Sequence, residues 1–384
     1  MSTSSDLELL SGPTASELPP AGELLGRFPL TANPEPADDE TFRRCMDTLA
    51  FGTSFTDHMV RATWTPAEGW HGHRTEAFAP LTLSPAAAVL HYAQEVFEGL
   101  KAYRHADGSV WTFRPGFNAA RLNASARRLA LPELPEQDFV ASLAALLAAD
   151  SRWVPSRPGS SLYLRPFMIA TEAFLGVRPA HEIEYLVIAS PVGPYFPHGF
   201  EPVSIWVSES FHRAGAGGMG AAKTGGNYAA SLLPQQEAAE KGFAQVCFLD
   251  ATTNTALEEL GGMNVFVVDD DGGLRTPSLT GTILEGGTRG AIIELLRDAG
   301  RDVREEVIQL EDLRAQIRAG TVKEMFACGT AAVITPIGRL AGADWDAIVD
   351  DGTPGEVTTS LYGELTDIQY GRRPDPHDWM YRLA

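Results

Sequence analysis

A single lysine, Lys223, stands inside a run of glycines that reads Gly217-Gly218-Met219-Gly220-Ala221-Ala222-Lys223-Thr224-Gly225-Gly226-Asn227-Tyr228. Glycine at this density lets a backbone approach another group closely. A solvated lysine in a surface loop is the ordinary outcome, and two kinds of chemistry compete with it. The first is a phosphate-cradling loop, since Gly217 followed by Lys223-Thr224 nearly matches GxxxxGK[ST], and Gln245 to Asp250 resembles a strand ending in a metal-binding aspartate. Against it, Ala222 stands where that motif needs glycine, and Phe211-His212-Arg213-Ala214-Gly215 is a weak strand lead-in. The second makes Lys223 a nucleophile towards an aldehyde cofactor, because burial can depress an amine pKa. Such a site also needs an acid for a ring nitrogen, donors for a phosphate, and a phenol or amide beside a ring hydroxyl.

These groups need a rigid setting. At 384 residues the chain exceeds the usual size of one core, and 44% hydrophobic with 21% charged residues leaves ample material for two packed domains. Residues 1–40 are rich in Ser, Pro and acidic side chains and read as a mobile N-terminal extension or a strap over the surface. Residues 41–195 read as an α+β domain, with strands in Gly159-Ser160-Ser161-Leu162-Tyr163-Leu164-Arg165-Pro166 and Ile183-Glu184-Tyr185-Leu186-Val187-Ile188. The Pro- and Gly-dense stretch Pro191 to Gly199 marks the domain boundary, and the connection is set at 196–203. The second domain, 204–384, is also mixed, with strands at Ser204 to Val207, Gln245 to Leu249 and Val265 to Val268. A helix follows around Ala291 to Leu296, ending by Gly300.

Thirty basic against fifty acidic residues give a formal charge of -20, which repels nucleic-acid backbones and anionic membrane surfaces. An anionic substrate therefore requires local arginines, backbone amides or helix N-termini. Cys45, Cys247 and Cys328 form no CxxC pair and there is no metal-ligand spacing, so no metal is expected and a reducing compartment fits. With no basic leader, and no apolar run long enough to span a bilayer, the sequence reads as cytoplasmic.

Six segments, in order, carry a resemblance: Tyr92-Ala93-Gln94-Glu95-Val96-Phe97-Glu98-Gly99-Leu100-Lys101-Ala102-Tyr103-Arg104, Phe113-Arg114-Pro115, Leu162-Tyr163-Leu164-Arg165-Pro166, Lys223-Thr224-Gly225-Gly226-Asn227-Tyr228, Glu259-Leu260-Gly261-Gly262-Met263-Asn264 and Cys328-Gly329-Thr330-Ala331-Ala332. From about Phe51 to Gly371 the chain resembles the branched-chain aminotransferases, which are fold-type IV pyridoxal-phosphate enzymes. The resemblance implies a two-domain α+β fold, with a small N-terminal and a larger C-terminal α/β domain and the cofactor between them. It implies Lys223 as the Schiff-base lysine, Glu259 as partner of the pyridine nitrogen and Tyr228 at the ring hydroxyl. Arg121, Gly287-Thr288 and Thr330 would serve the phosphate, and the middle pair has its own reason, since a helix N-terminus presents free amides to a dianion. Phe55, Tyr92, Phe97, Tyr163 and the turn Thr330-Ala331 would form the substrate side, with Arg165 organising its polar end. Each has a plainer reading: a core aromatic, a surface arginine, a helix cap, or, for Glu259, half of an acidic pair with Glu258. The resemblance does not place Arg213 towards cofactor or scaffold.

The implied reaction moves the amino group of L-leucine, L-isoleucine or L-valine to 2-oxoglutarate. The implied assembly is a homodimer with shared active sites, in which Glu172-Ala173-Phe174-Leu175-Gly176-Val177 from one subunit closes the pocket of the other. Met219 and Gly287 depart from the residues common in the family, which bears on substrate preference, and Gly262 stands where relatives carry Thr or Gly. Ala332 and Thr335 stand where some members carry a redox-sensitive CxxC, so no thiol switch is expected. A D-amino-acid transaminase, an aminodeoxychorismate lyase, a nucleotide-binding protein and a degenerate metabolite-binding protein stay open as alternatives at this level.

Overall fold

The computed structural model describes residues 10–194 and 199–384, which divide into two units. Among the described residues, the N-terminal unit comprises 10–194, Ala222–Gly225 and Asp367–Ala384, and the C-terminal unit comprises 199–221 and Gly226–Thr366. Both are mixed α and β, as the periodicities indicate.

The N-terminal unit is built on one antiparallel sheet. Its strands are β1 (His58–Thr65), β2 (Gly69–Ala77), β3 (Glu95–Phe97), β4 (Leu100–Arg104), β5 (Val110–Phe113), β6 (Ser161–Ala170) and β7 (Ile183–Val192). The order runs from the chain's last strand, Met380–Arg382, through β5, β4, β6, β7 and β1 to β2, with β3 also paired to β6. Strand alternation decides what each face carries. In β6, Leu162, Leu164 and Met168 are buried on one face, while Tyr163, Arg165 and Phe167 stand half-buried on the other. The first face packs on the helix Glu136–Asp150, an Ala- and Leu-rich segment that is buried on nearly all sides through Phe139, Val140, Leu143, Leu146 and Leu147.

Two expectations about the ends of the chain are corrected. Residues 1–9 lie outside those described, but from Leu10 onward the segment expected to be a mobile extension is part of the N-terminal core. Leu18, Ala21, Leu24 and Phe28 are all buried in that core. They recur every three or four residues, a helical spacing hidden among prolines and acidic side chains. Gly12 and Gly116 pass so close that a Cβ on Gly12 would stand 2.2 Å from the Gly116 carbonyl oxygen. At the other end, Asp367–Ala384 was expected in the C-terminal domain and belongs instead to the N-terminal unit. Met380–Arg382 pairs antiparallel with β5, and the Tyr381 hydroxyl donates to the Pro19 carbonyl at 2.5 Å. With both additions the N-terminal unit is not the smaller of the two. Of the expected connection, residues 196–198 lie outside those described, and its last residue, Val203, already starts a strand.

The C-terminal unit carries a ten-stranded mixed sheet. Its strands are β8 (Val203–Ser208), β9 (Gln245–Leu249), β10 (Ala256–Leu260), β11 (Asn264–Asp269), β12 (Leu274–Pro277), β13 (Val303–Glu306), β14 (Ile308–Gln309), β15 (Val322–Gly329), β16 (Val333–Ala341) and β17 (Asp346–Ile348). The order is β13-β12-β11-β15-β16-β8-β9-β10-β14, with β17 on β16. The helix Gly287–Asp298 buries Ala291, Ile292, Ile293, Leu295 and Leu296, the face its spacing indicates.

Phe28, 1% exposed, tests the N-terminal correction. Replacing it with alanine should cost roughly 3–5 kcal/mol in urea unfolding, the range for truncating a buried aromatic. A loss below about 1 kcal/mol would show that the segment is not part of the core.

Candidate active site

Four residues, Ala222–Gly225, belong to the N-terminal unit although the chain on either side belongs to the C-terminal one. Lys223 is the second of them, and its backbone is fixed at both ends. Its N–H donates to Ser125 Oγ at 2.9 Å, and its carbonyl accepts the Phe97 N–H at 3.0 Å. Its Nζ stands 4.9 Å from the centre of the Phe97 ring. Ser125 is supplied by the helix Pro115–Arg128, whose proline opens the first turn, where no N–H is needed. Residues 118, 121 and 125 fall on one helical face. There Asn118 Nδ2 donates to Glu98 Oε2 at 2.7 Å, and Arg121 grips both oxygens of the same carboxylate through Nε at 2.7 Å and Nη2 at 2.8 Å.

The half-buried face of β6 continues this wall. The Arg165 guanidinium lies 4.7 Å from the Phe97 ring centre and 5.3 Å from that of Tyr163, and its Nη2 donates to the Tyr163 hydroxyl at 3.0 Å. Lys223, Phe97, Tyr163 and Arg165 are thus brought together. Two neighbours were not singled out from the sequence. Phe51 packs its ring 5.0 Å from that of Tyr163, and Lys101 on β4 stands directly opposite Tyr163. Desolvation pushes the Lys101 ammonium down to about 8. Gly99 has a steric reason, since a Cβ there would meet the Tyr163 hydroxyl at 2.1 Å. The register that pairs β4 with β6 was the missing signal. Phe55, Tyr92 and Val177 make different contacts. Phe55 stacks on Phe78, Tyr92 donates its hydroxyl to the Leu175 carbonyl, and Val177 is 89% exposed.

In the C-terminal unit, Glu259 ends up almost fully buried on β10. Its Oε1 meets Arg213 Nη2 at 2.6 Å and the Leu284 N–H at 2.8 Å, while Asn264 Nδ2 approaches Oε2 at 3.3 Å. Arg213 also donates to the carbonyls of Gly220 and Thr282, at 2.8 and 2.5 Å. In this unit it is therefore the counter-charge that holds Glu259, a role the sequence left open. Tyr228, in the first turn of the helix Gly225–Glu240, is half-buried against Gly262, where a Cβ would lie 3.7 Å from its ring. A Cβ at 262 would make ordinary van der Waals contact with that ring.

Gly287 and Thr288 open the helix Gly287–Asp298, whose N-cap is Gly286, so no side chain caps it from that position. A Cβ on Gly286 would stand 2.1 Å from Asn264 Oδ1, which ties this helix start to the strand after Glu259. Thr330 and Ala331 form the turn between β15 and β16, and Val333 closes it with φ of 64°. A β-branched residue there costs about 1–3 kcal/mol, and it persists because both flanking strands are locked in register. Cys247 and Cys328 are buried, with their thiols pushed up to about 12, which removes the reactive thiolate at neutral pH.

By residue type, each unit taken by itself holds groups that fit pyridoxal phosphate: the N-terminal unit an amine that would suit its aldehyde, the C-terminal unit a buried carboxylate with a matched cation, a phenol, and a helix start that would suit a phosphate. Among the described residues there is no cluster of His, Cys, Asp and Glu that could hold a metal, and no helix long and apolar enough to cross a membrane.

Comparison with known proteins shows the family. Residues 95–340 match the family model described as amino-transferase class IV. The chain is 54% identical to a probable branched-chain-amino-acid aminotransferase of Streptomyces coelicolor, over 92% of its own length and 98% of that protein's. Among solved structures it resembles the branched-chain amino acid aminotransferase of Escherichia coli, with TM-score 0.70 and 29% identity over 84% of this chain and 99% of that one. It also resembles the T.th. branched-chain amino acid aminotransferase solved with pyridoxamine 5'-phosphate, with TM-score 0.68 and 28% identity over 84% of this chain and 98% of that one.

The Arg213–Glu259 pair is buried on both sides. Arg213→Ala leaves a carboxylate without its cation and should destabilise the protein by about 3–5 kcal/mol in denaturant titration. A change within about 0.5 kcal/mol would mean that the pair does not hold the carboxylate as described.

Proposed function

Since the chain belongs to the class IV aminotransferases, we propose that it transfers the amino group of L-leucine, L-isoleucine or L-valine to 2-oxoglutarate, giving a branched 2-oxo acid and L-glutamate. The single observation that carries this reading is the anchoring of Lys223 against Phe97 beside Arg165 and Tyr163. An amine, an apolar surface and a cation meet there, as two substrates with aliphatic and acidic side chains require.

When bound, pyridoxal phosphate supplies an aldehyde to take up the amino group and a ring to accept electrons from the substrate α-carbon. Lys223 Nζ is the amine that would hold the cofactor and, once displaced by substrate, would serve as the base for the α-carbon proton. Glu259, held by Arg213 and the Leu284 amide, would face the ring nitrogen and accept its proton-bearing N–H. Tyr228 orients the ring hydroxyl. Arg121, the first turn at Gly287-Thr288 and Thr330 would hold the phosphate. Phe97 and Tyr163 flank the side chain, Arg165 attracts an acidic one, and the amides of Thr330 and Ala331 take the substrate carboxylate.

We assign Phe55, Tyr92 and Val177 to a pocket completed by a second copy of the chain, acting in the cytoplasm as a homodimer. Supporting this, Leu175 and Val177 are 66% and 89% exposed on the connection between β6 and β7, and Leu90 beside Tyr92 is 59% exposed. Apolar side chains so placed call for a covering surface.

Purified enzyme should show a visible cofactor band and form glutamate from each branched-chain donor with 2-oxoglutarate. Lys223→Ala should abolish both while leaving the circular dichroism unchanged. A mutant that keeps band and turnover would exclude Lys223, and ATP binding without a band would favour a nucleotide-binding protein.

Assembly is checked separately. Val177→Asp should leave the band and the dimer in place but raise KM for branched donors roughly tenfold, the effect of wetting an apolar wall. Light scattering at assay concentration that finds a fully active monomer would refute the shared site.

A further inference from the structure

Glu95 is assigned no part in holding cofactor or substrate, yet it occupies a costly position. It sits half-buried on the three-residue strand β3. Its Oε1 accepts the backbone N–H of Gly225 and the hydroxyl of Thr224, the latter at 3.2 Å, and Thr224 is completely buried. Burial pushes the Glu95 carboxyl up from its ordinary value, while these two bonds and the charge of Arg165 act in the opposite direction. Something must justify withdrawing a carboxylate from water in this way.

The register of β3 supplies the reason. Glu95 and Phe97 are two apart on one strand, so both side chains lie on the same face. Phe97 takes the Lys223 carbonyl through its N–H and places its ring beneath Nζ, and Glu95 takes the two residues that follow Lys223. A Cβ on Gly225 would stand 2.5 Å from Glu95 Oε1, so only glycine admits the carboxylate at this distance. A glycine-flanked lysine has great backbone freedom, and three residues of β3 remove it.

We propose that Glu95 is a positioning residue for Lys223: by gripping Thr224 and Gly225 it fixes the direction in which the lysine side chain leaves its backbone. It touches neither cofactor nor substrate, and the inference rests on the reading of Lys223 as the cofactor lysine. Both oxygens of a carboxylate accept, and a glutamine keeps one acceptor oxygen, so the isosteric amide preserves most of the grip.

The test compares Glu95→Ala, Glu95→Gln and Gly225→Ala in the full chain as purified. Hydrogen exchange of the peptide containing residues 222–226 should quicken roughly tenfold or more in Glu95→Ala as the local anchor is lost. Its kcat should fall about 10- to 100-fold, with KM changed less than about threefold, because a small displacement of a reacting amine acts on the chemical step. Glu95→Gln should recover most of both effects. Gly225→Ala, which displaces the same oxygen, should reproduce them if Glu95→Ala does not fold. Exchange and kcat both within about twofold of the parent would overturn the proposal, as would a fall in kcat with unchanged exchange. A failed reading of Lys223 shows itself otherwise, as a visible band that survives Lys223→Ala whatever the exchange result.

Discussion

A catalytic amine is only as useful as its backbone is still, and a lysine flanked by glycines is the least favourable place to find stillness. The ordering cost is about 1–2 kcal/mol per residue for backbone alone and highest for glycine. The cost is met by bonds to the backbone on either side of Lys223: Ser125 below it, Phe97 across from it and Glu95 beyond it. Much of the N-terminal unit is explained by the need to present those three groups together. The helix Pro115–Arg128 must expose Asn118, Arg121 and Ser125 on one face, and β3 must pair with β6 in a register that places Phe97 opposite Phe167. A slip of one residue would turn Glu95 and Phe97 to the other side of the sheet.

The same economy governs charge. The surface is strongly acidic overall, but the Debye length of about 8 Å in physiological salt confines most of that field to the neighbourhood of each group. What an anionic ligand meets is decided locally. Arg121 and Arg213 are each matched to a buried carboxylate, so they bring order and hydrogen-bond geometry more than net charge. Arg165 is held differently, with its guanidinium over the rings of Phe97 and Tyr163, an arrangement that packs a cation against aromatic surface. Lys101 opposite Tyr163 adds a second cation to that wall, and its depressed pKa means that this charge fades as pH rises through about 8.

How much could be read beforehand follows from how far apart in sequence the interacting pieces lie. The six ordered motifs gave the fold type, and four members of the N-terminal wall, Lys223, Phe97, Tyr163 and Arg165, do come together. Glu95, Ser125, Lys101 and Gly99 were passed over, although three of them lie inside or beside those motifs, because each acts through a partner on a remote segment that only the sheet register or a helix face reveals. The N-terminal stretch was misjudged for a related reason. Leu18, Ala21, Leu24 and Phe28 are too sparse to outweigh the prolines and acids around them, and the core they join is supplied by the helix Glu136–Asp150, more than a hundred residues away. The last strand was invisible likewise, since a three-residue strand has no period of its own and exists only because β5 offers it an edge.

Glu258 and Glu259 show the limit most sharply, because nothing in an acidic pair says which member does what. Consecutive residues of a strand face opposite ways, so the two carboxyls enter different surroundings. Glu259 meets a guanidinium and a backbone N–H, both of which complement an anion. Glu258 meets the hydroxyl of Thr282, its Oε2 has no hydrogen-bond partner among the described residues, and burial pushes its carboxyl above the usual range. One side chain is thus paired directly with a cation, while its neighbour is pushed in the direction of the neutral acid. Two adjacent anions sharing one buried arginine would each weaken the other's hold on it. Keeping Glu258 on the far face, against a hydroxyl, leaves the direct ion pair with Arg213 to Glu259, while Glu258 feels that charge only at a distance.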